Sequence, residues 1–141
     1  MDPIDFTSII RAAEGYAFLG LCDEAWELVK SLPPQNQHCP RAFAVRLLIC
    51  THLKKWETGM ELALEFDTHS RIEAREAAGR FYLAYATLLA GNNRLTAAST
   101  VISLMELVWP EGHREALRSR ALQRLWRQDI PDAEKIPPGR S

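Results

Sequence analysis

The sequence has few cysteines and no long apolar run, and its charges almost cancel. Cys22, Cys39 and Cys50 are an odd number of cysteines at unrelated spacings, which argues against a disulfide framework. No apolar stretch approaches about 18 residues, and no apolar core of a signal peptide follows the acidic N-terminus. With 17 Lys and Arg against 18 Asp and Glu, no overall field attracts nucleic acid or an anionic membrane. We therefore expect a cytoplasmic protein that binds neither.

What the sequence contains instead is an internal repeat. Residues 20–32 have the pattern of a turn followed by an amphipathic helix, and residues 54–66 repeat this pattern 34 positions later. Each second helix begins with a small residue, Ala25 or Gly59, and apolar residues follow four and seven positions further on. A period of 34 residues is typical of one helical hairpin per repeat, so we predict an all-α array rather than a conventional globular enzyme.

Apolar periodicity, caps and prolines predict seven helices. Pro40 suits the first turn of the third helix, and Ser70 with Glu73 forms a capping box before the fifth. The third repeat follows the second after 39 residues rather than 34 because the fifth helix is longer. The predicted helices cover residues 5–19, 25–32, 40–53, 56–66, 70–90, 96–109 and 111–128.

The spacing of apolar residues also predicts which positions are buried. In the first helix these positions are Ile9, Ala12, Ala13, Tyr16 and Leu19. In the third they are Phe43, Leu47, Cys50 and Leu53. The seventh helix, a polar-faced cap on the last repeat, has Leu117, Ala121, Leu122, Leu125 and Trp126 on one side and Arg114, Arg118, Arg120, Arg124 and Arg127 elsewhere. We expect this arginine stripe to be a solvated face rather than a surface that binds an acidic partner. Residues 129–141 are expected to form a disordered tail.

These helices resemble tetratricopeptide repeats, whose pattern sets bulky and small residues at fixed places on two helices. The first repeat supplies Ile9, Ala12, Ala13, Tyr16, Ala25, Val29, Leu32 and Pro33. The second supplies Phe43, Arg46, Leu47, Cys50, Gly59, Ala63 and Phe66. The third supplies Tyr82, Tyr85, Ala86, Leu89, Ala98, Ile102, Met105 and Pro110. The resemblance implies a right-handed solenoid domain over residues 1–128, with repeats at about 6–39, 40–78 and 79–112 and a capping helix at 111–128.

The chain departs from the family pattern in several places. No repeat has a Leu-Gly pair at the place on the first helix where the family pattern has one. Leu47, Leu32 and Phe66 occupy positions that are small in the family. Hydrophobic pattern and approximate volume still allow such helices to stack. Related helical-hairpin solenoids with less regular units therefore remain the alternative.

The resemblance implies a concave groove, lined by the first helix of each repeat, that holds a partner's peptide. Groove positions carried over residue by residue are Arg11, Glu14, Phe18, Arg41, Ala44, Leu48, His52, Arg80, Leu83 and Thr87. The Lys and Asn clamp with which some members bind chaperone tails is missing, since Ile10, Glu14, Ala44, Leu48, Leu83 and Thr87 stand there. The combination of apolar and arginine side chains in this set predicts a partner peptide with apolar anchors and with carboxylates near Arg41 and Arg80. The alternative is that these arginines are simply solvated helix residues.

Other reactive residues do not form a convincing site. His38, Cys39, Cys50 and His52 lack a C-x-x-C knuckle, so we expect no metal or cofactor. Asp23 and Glu24 should raise the pKa of Cys22, which makes this thiol a poor nucleophile. Asp67, His69 and Ser70 are too close in sequence to converge as a catalytic triad, so an enzyme is not expected.

Two tryptophans bear on how the protein associates. Trp56 is predicted to be in the core, whereas Trp26 and Leu21 either form an exposed apolar patch that favours self-association or pack beneath a loop.

The main hypothesis is a protein-binding adaptor. The alternatives are a bacterial secretion chaperone that holds an aggregation-prone client as a homodimer, and an enzyme with an enclosed polar pocket on a helical scaffold. The sequence does not identify the partner or the oligomeric state.

Overall fold

Every regular element in the described part of the chain is helical. The computed structural model describes residues 6–34, 39–65 and 72–126, and no strand occurs among them. This confirms the predicted all-α class. The chain divides into two compact units, Met1–Phe81 and Tyr82–Ser141. None of the described helices combines the length and the apolar character that crossing a membrane requires.

Among the residues that the structure describes, the first unit contains four helices and the beginning of a fifth. They are α1 (Phe6–Phe18), α2 (Cys22–Lys30), α3 (Pro40–Leu53), α4 (Trp56–Leu64) and the start of α5 (Ile72–Gly91). Helices α1 and α2 pack against each other, α3 packs against both, and α4 packs against α3. Proline at the first helical turn begins α3, as the sequence predicted.

The second unit begins within α5 and continues through shorter elements. It contains the end of α5, then α6 (Leu95–Val108), a 3-10 turn (Pro110–Gly112) and α7 (His113–Arg118). The 3-10 turn packs against both α6 and α7. Pro110 stops α6, because a proline has no amide hydrogen to continue the helix.

The hairpins α1–α2, α3–α4 and α5–α6 share one backbone turn. The first helix of each is followed within two residues by one with positive φ: 83° at Gly20, 59° at Lys54 and 64° at Asn93. The next amide donates a 2.8 Å hydrogen bond to the carbonyl five residues earlier, which is the Schellman arrangement that satisfies the end of a helix. The three donors and acceptors are Leu21 to Tyr16, Lys55 to Cys50 and Arg94 to Leu89. The sequence intervals of 34 and 39 residues therefore recur as the same turn.

The small residue that follows each turn is buried. Ala25 and Ala98 are 0% exposed, and Gly59 is also buried. A Cβ atom at Gly59 would collide with the ring of Phe81 on α5. The small residues are predicted to let each second helix approach the helix before it, whereas the close neighbour of Gly59 is α5, the helix that follows.

The core of the first unit joins α1, α2 and α3. Its buried members are Ile10, Ala13, Ala17, Cys22, Ala25, Val29, Leu32, Ala42, Val45 and Ile49. On α3, burial of Phe43, Leu47 and Cys50 agrees with the predicted stripe, while Leu53 is half-buried. The cysteines Cys22, Cys39 and Cys50 are free thiols.

The buried face of α1 differs from the predicted one. Of the predicted set, only Ala13 is fully buried, whereas Tyr16 is 40% and Leu19 73% exposed. Helix α1 packs against two neighbours, and the face they share is centred on Ile10 and Ala17 instead. Leu19 lies beyond the last residue of α1, so the helical spacing used for the prediction does not extend to it.

The predicted single helix over residues 111–128 is wrong. The chain forms the 3-10 turn and α7, becomes extended at Ser119 with ψ of 123°, and is helical again at residues 123–126. The Ser119 hydroxyl accepts a hydrogen bond from the Leu122 amide at 3.4 Å, the local contact through which serine competes with a continuous helix. Within α7, Ala116 is buried and Leu117 is 44% exposed, while Leu122 and Leu125, after the break, are buried as predicted.

Arg124 belongs to the fold of the second unit rather than to a solvated stripe. Its guanidinium donates to Asn93 Oδ1 at 2.5 Å and also to the Ala90 carbonyl at the end of α5. A cation at a helix C-terminus stabilises the exposed carbonyls there. The predicted capping box, the Asp67, His69 and Ser70 group and the predicted tail lie outside the described residues or side chains.

Replacing Lys54 with glycine should stabilise the protein. A non-glycine residue in the left-handed region carries a cost of about 1 kcal/mol, which Lys54→Gly removes, so the free energy of unfolding should rise by about 0.5–1 kcal/mol. Denaturant-induced unfolding measures this change. The matched control is Lys30→Gly at the last residue of α2, which has helical backbone angles. Its free energy of unfolding should instead fall by about 0.5–1 kcal/mol. If both variants are destabilised equally, the turn at Lys54 is not the one described.

Glycine-to-alanine changes at two sites should have opposite effects. Gly59→Ala forces a methyl group against the Phe81 ring and should lower the free energy of unfolding by about 1–3 kcal/mol. Gly15→Ala, in α1, meets no atom within 4 Å and should stabilise by about 0.5–1 kcal/mol. Thermal or denaturant unfolding tests both. A harmless Gly59→Ala would disprove the close approach of α4 and α5.

Candidate functional site

The first unit contains an open cavity between α3 and the beginning of α5. Its volume is about 320 Å³. The lining side chains come from successive turns of the two helices: Ala44, Leu47, Leu48 and Thr51 on α3, and Glu76, Ala77, Arg80 and Phe81 on α5. Leu47 and Phe81 are each 1% exposed, whereas Leu48 is 41% exposed, so Leu48 remains accessible to solvent.

The few polar groups of the cavity are bonded within the chain. The Thr51 hydroxyl donates to the Leu47 carbonyl at 3.0 Å, a bond internal to α3. Arg80 and Glu76 form an ion pair one turn apart on α5, with Nε and Oε2 separated by 2.8 Å. The cavity therefore offers mainly aliphatic and aromatic surface to a ligand.

The second arginine predicted to bind a carboxylate is also paired. Arg41 donates from Nε and Nη2 to the two carboxylate oxygens of Glu14, at 3.0 and 2.8 Å, which links α3 to α1. This hydrogen bonding and the charge of Glu14 raise the pKa of the Arg41 guanidinium. A carboxylate from a partner would have to compete with Glu14 at Arg41 and with Glu76 at Arg80.

The remaining predicted groove residues are scattered. Arg11 and Phe18 are exposed on α1, and His52 is exposed at the end of α3, next to Thr51. Leu83 and Thr87 belong to the second unit and are half-buried, with the Thr87 hydroxyl donating to the Leu83 carbonyl at 2.8 Å. Of the ten predicted residues, the cavity brings together three: Ala44, Leu48 and Arg80.

Five cavity residues were not predicted as site residues. They are Leu47, Thr51, Glu76, Ala77 and Phe81. For four of them the available signal was helical spacing, because residues three and four positions apart share a helix face and Leu47, Thr51, Glu76 and Ala77 lie at that spacing from Ala44, Leu48 or Arg80. The ring of Phe81 fills the space beside Gly59. Nothing in the sequence indicated this contact, because no local pattern links residues on different helices.

The two tryptophans of the first unit pack against different neighbours, Trp56 beside the cavity residue Phe81 and Trp26 against the core. Trp56 is half-buried rather than fully buried, and its ring centroid is 5.8 Å from that of Phe81. Trp26 is half-buried against the core, with Lys55 Nζ 5.9 Å from its ring centroid. Packing, rather than a wholly exposed patch, therefore accounts for Trp26.

The thiol groups have the properties of packed side chains. Burial raises the pKa of Cys50, and burial together with Asp23 and Glu24 raises that of Cys22, as the sequence predicted for the neighbouring acids. A raised pKa lowers the fraction of reactive thiolate. Within residues 6–34, 39–65 and 72–126, no group of three or more His, Cys, Asp or Glu side chains is arranged to hold a metal ion.

Comparisons with known proteins give no direct assignment for this geometry. No protein-family model matches the sequence, no curated protein is significantly similar to it, and no solved structure matches the fold. The functional argument therefore starts from the site itself. Its defining feature is an open, largely apolar cavity between two helices whose charged neighbours are already paired.

Proposed function

We propose that the protein is a tetratricopeptide-like solenoid that serves as a cytoplasmic adaptor and binds a peptide segment of another protein. Three hairpins with the same turn, at intervals of 34 and 39 residues, support the repeat assignment. Buried small residues at equivalent places in the second helices support it further. Helical repeats of this kind use their exposed first helices as binding surfaces.

The apolar cavity is the observation that carries this proposal. An apolar cavity of about 150 Å³ is large enough to bind benzene, so a cavity of about 320 Å³ has room for a large aliphatic or aromatic side chain. Burial of one such side chain contributes about 1.5–3 kcal/mol. The mouth at Leu48 is open to solvent, which allows the anchor to enter from outside.

The ion pairs define the chemistry of the partner. Arg80 is bonded to Glu76, and Arg41 is bonded to Glu14. A carboxylate of the partner therefore gains less binding free energy at these arginines than it would at an unpaired one. We therefore assign the main recognition to apolar burial, with charges orienting the peptide. An amphipathic helix or an extended segment with one large apolar anchor fits this description.

The cavity chemistry favours binding over catalysis. Thr51, Glu76 and Arg80 carry the polar side-chain atoms of the lining, and each is engaged in a bond within its own helix. The two fully buried thiols have raised pKa values. We therefore propose a non-enzymatic role that needs no cofactor, metal, nucleic acid or membrane.

Random peptides displayed on phage test the proposal, because they sample many anchors and do not require that the partner be identified. Peptides selected by the wild-type protein should share a large apolar residue. Ala44→Phe, which places a ring in the cavity, should weaken their binding about 10–100-fold, the equivalent of losing one buried apolar side chain. Isothermal titration calorimetry measures the dissociation constants.

Two matched controls separate occupation of the cavity from general damage. Ala12→Phe makes the same change at an exposed position of α1 and should leave peptide affinity unchanged. Leu48→Asp should weaken binding, whereas Leu107→Asp, at a residue that is 70% exposed in α6, should not. Equal effects of Ala44→Phe and Ala12→Phe, in variants that remain helical, would contradict the assignment of the cavity.

A further inference from the structure

The turn between α1 and α2 carries an unusual amount of exposed apolar surface. Phe18 is 88% exposed, Leu19 73% and Leu21 43%, and we call residues 18–21 the Phe18 turn. The equivalent turns carry polar residues at most of these places: His52, Leu53, Lys54 and Lys55 in the second hairpin, and Gly91, Asn92, Asn93 and Arg94 in the third. The apolar exposure is therefore a property of this turn and not of the turn geometry.

The backbone of the Phe18 turn is fixed. The Leu21 amide donates to the Tyr16 carbonyl at 2.8 Å, and the Gly20 amide donates to the Ala17 carbonyl at 3.0 Å. Ala17 is 1% exposed, so the last turn of α1 is anchored in the core. A preorganised apolar projection loses less conformational entropy on binding than a flexible loop does.

Helix α1, which precedes the Phe18 turn, and the cavity lie against different faces of α3. Ala42, Val45 and Ile49 pack into the core shared with α1 and α2. Ala44 and Leu48, on another face of α3, line the cavity together with α5. Because α1 packs against the first face, one chain cannot place its own Phe18 in its own cavity without dismantling this core.

The polar groups beside the two surfaces include opposite charges, the acids Asp23 and Glu24 beside the turn and the cation Lys54 beside the cavity. Asp23 and Glu24 are exposed in the first turn of α2, directly after the Phe18 turn. His52 and Lys54 are exposed at the end of α3 that carries Thr51 of the cavity. Opposite charges around a small apolar contact favour one orientation of approach.

We propose that the Phe18 turn of one copy docks into the cavity between α3 and α5 of a second copy. Phe18 supplies the apolar anchor, and Asp23 and Glu24 face the His52 and Lys54 end of the cavity. The inference rests on the proposed function, since it assigns an occupant to the same cavity. The contact is head-to-tail, so a pair of copies retains one unused turn on one copy and one unused cavity on the other, and association extends with concentration instead of closing as a symmetric dimer.

Sedimentation velocity of the full chain tests self-association. Between about 10 µM and about 1 mM, the weight-average sedimentation coefficient of the wild type should rise steadily. Phe18→Asp removes the anchor and Leu48→Asp places a carboxylate at the mouth of the cavity, so each should weaken association at least about tenfold. Leu107→Asp, the matched control, should associate as the wild type does. Circular dichroism verifies that each variant is folded.

Mixing the two variants tests whether the turn of one copy pairs with the cavity of another. Phe18→Asp retains an intact cavity and Leu48→Asp an intact Phe18 turn, so an equimolar mixture should form a one-to-one complex that grows no further. A wild type that stays monomeric, unchanged association of Phe18→Asp, or a mixture that fails to pair would each overturn the inference. Phage-selected peptides distinguish this failure from that of the proposed function, because they should bind Phe18→Asp with full affinity whether or not the protein self-associates.

Discussion

The contact between Gly59 and the ring of Phe81 is the constraint on which the first unit depends. Phe81 occupies the space that any side chain at residue 59 would need, and this brings the beginning of α5 close to α4. The same ring contacts Trp56 and forms part of the cavity lining. One buried aromatic residue thus connects helix packing to the shape of the candidate site, so the packing of α4 and the geometry of the cavity cannot vary independently.

The sequence contains the information for most helices and turns because that information is local. Pro40 predicted the start of α3, and Gly59 was predicted as a small residue at a close helix contact, although the helix in contact is α5 and not the preceding α3. The buried face of α1 was predicted wrongly because it depends on two packing partners at once. The break at Ser119 was missed because the apolar spacing continues through it. The interactions found there are a hydrogen bond to the Ser119 side chain and the hydrogen bonds of Arg124 to residues about 30 positions earlier in the sequence.

The candidate site was less predictable than the fold. Carrying family positions across identified Ala44, Leu48 and Arg80, which do meet in the cavity. It also suggested open carboxylate receptors at Arg41 and Arg80, whereas both guanidinium groups bond to glutamates. Glu14 lies 27 positions before Arg41, so that pair depends on the packing of α1 and α3, while the pair of Glu76 and Arg80 follows from the helical i to i+4 spacing. Recognition by apolar burial is what this arrangement supports.

Methyl-resolved NMR of the protein with a phage-selected peptide would test the central claim most directly. We predict nuclear Overhauser contacts between the apolar anchor of the peptide and the methyl groups of Ala44, Leu48 and Ala77, with the Phe81 ring shifting the same resonances. Methyl groups on the opposite face of α3, such as those of Val45 and Ile49, should show no contact with the peptide. Contacts confined to surfaces away from α3 and α5 would contradict the account.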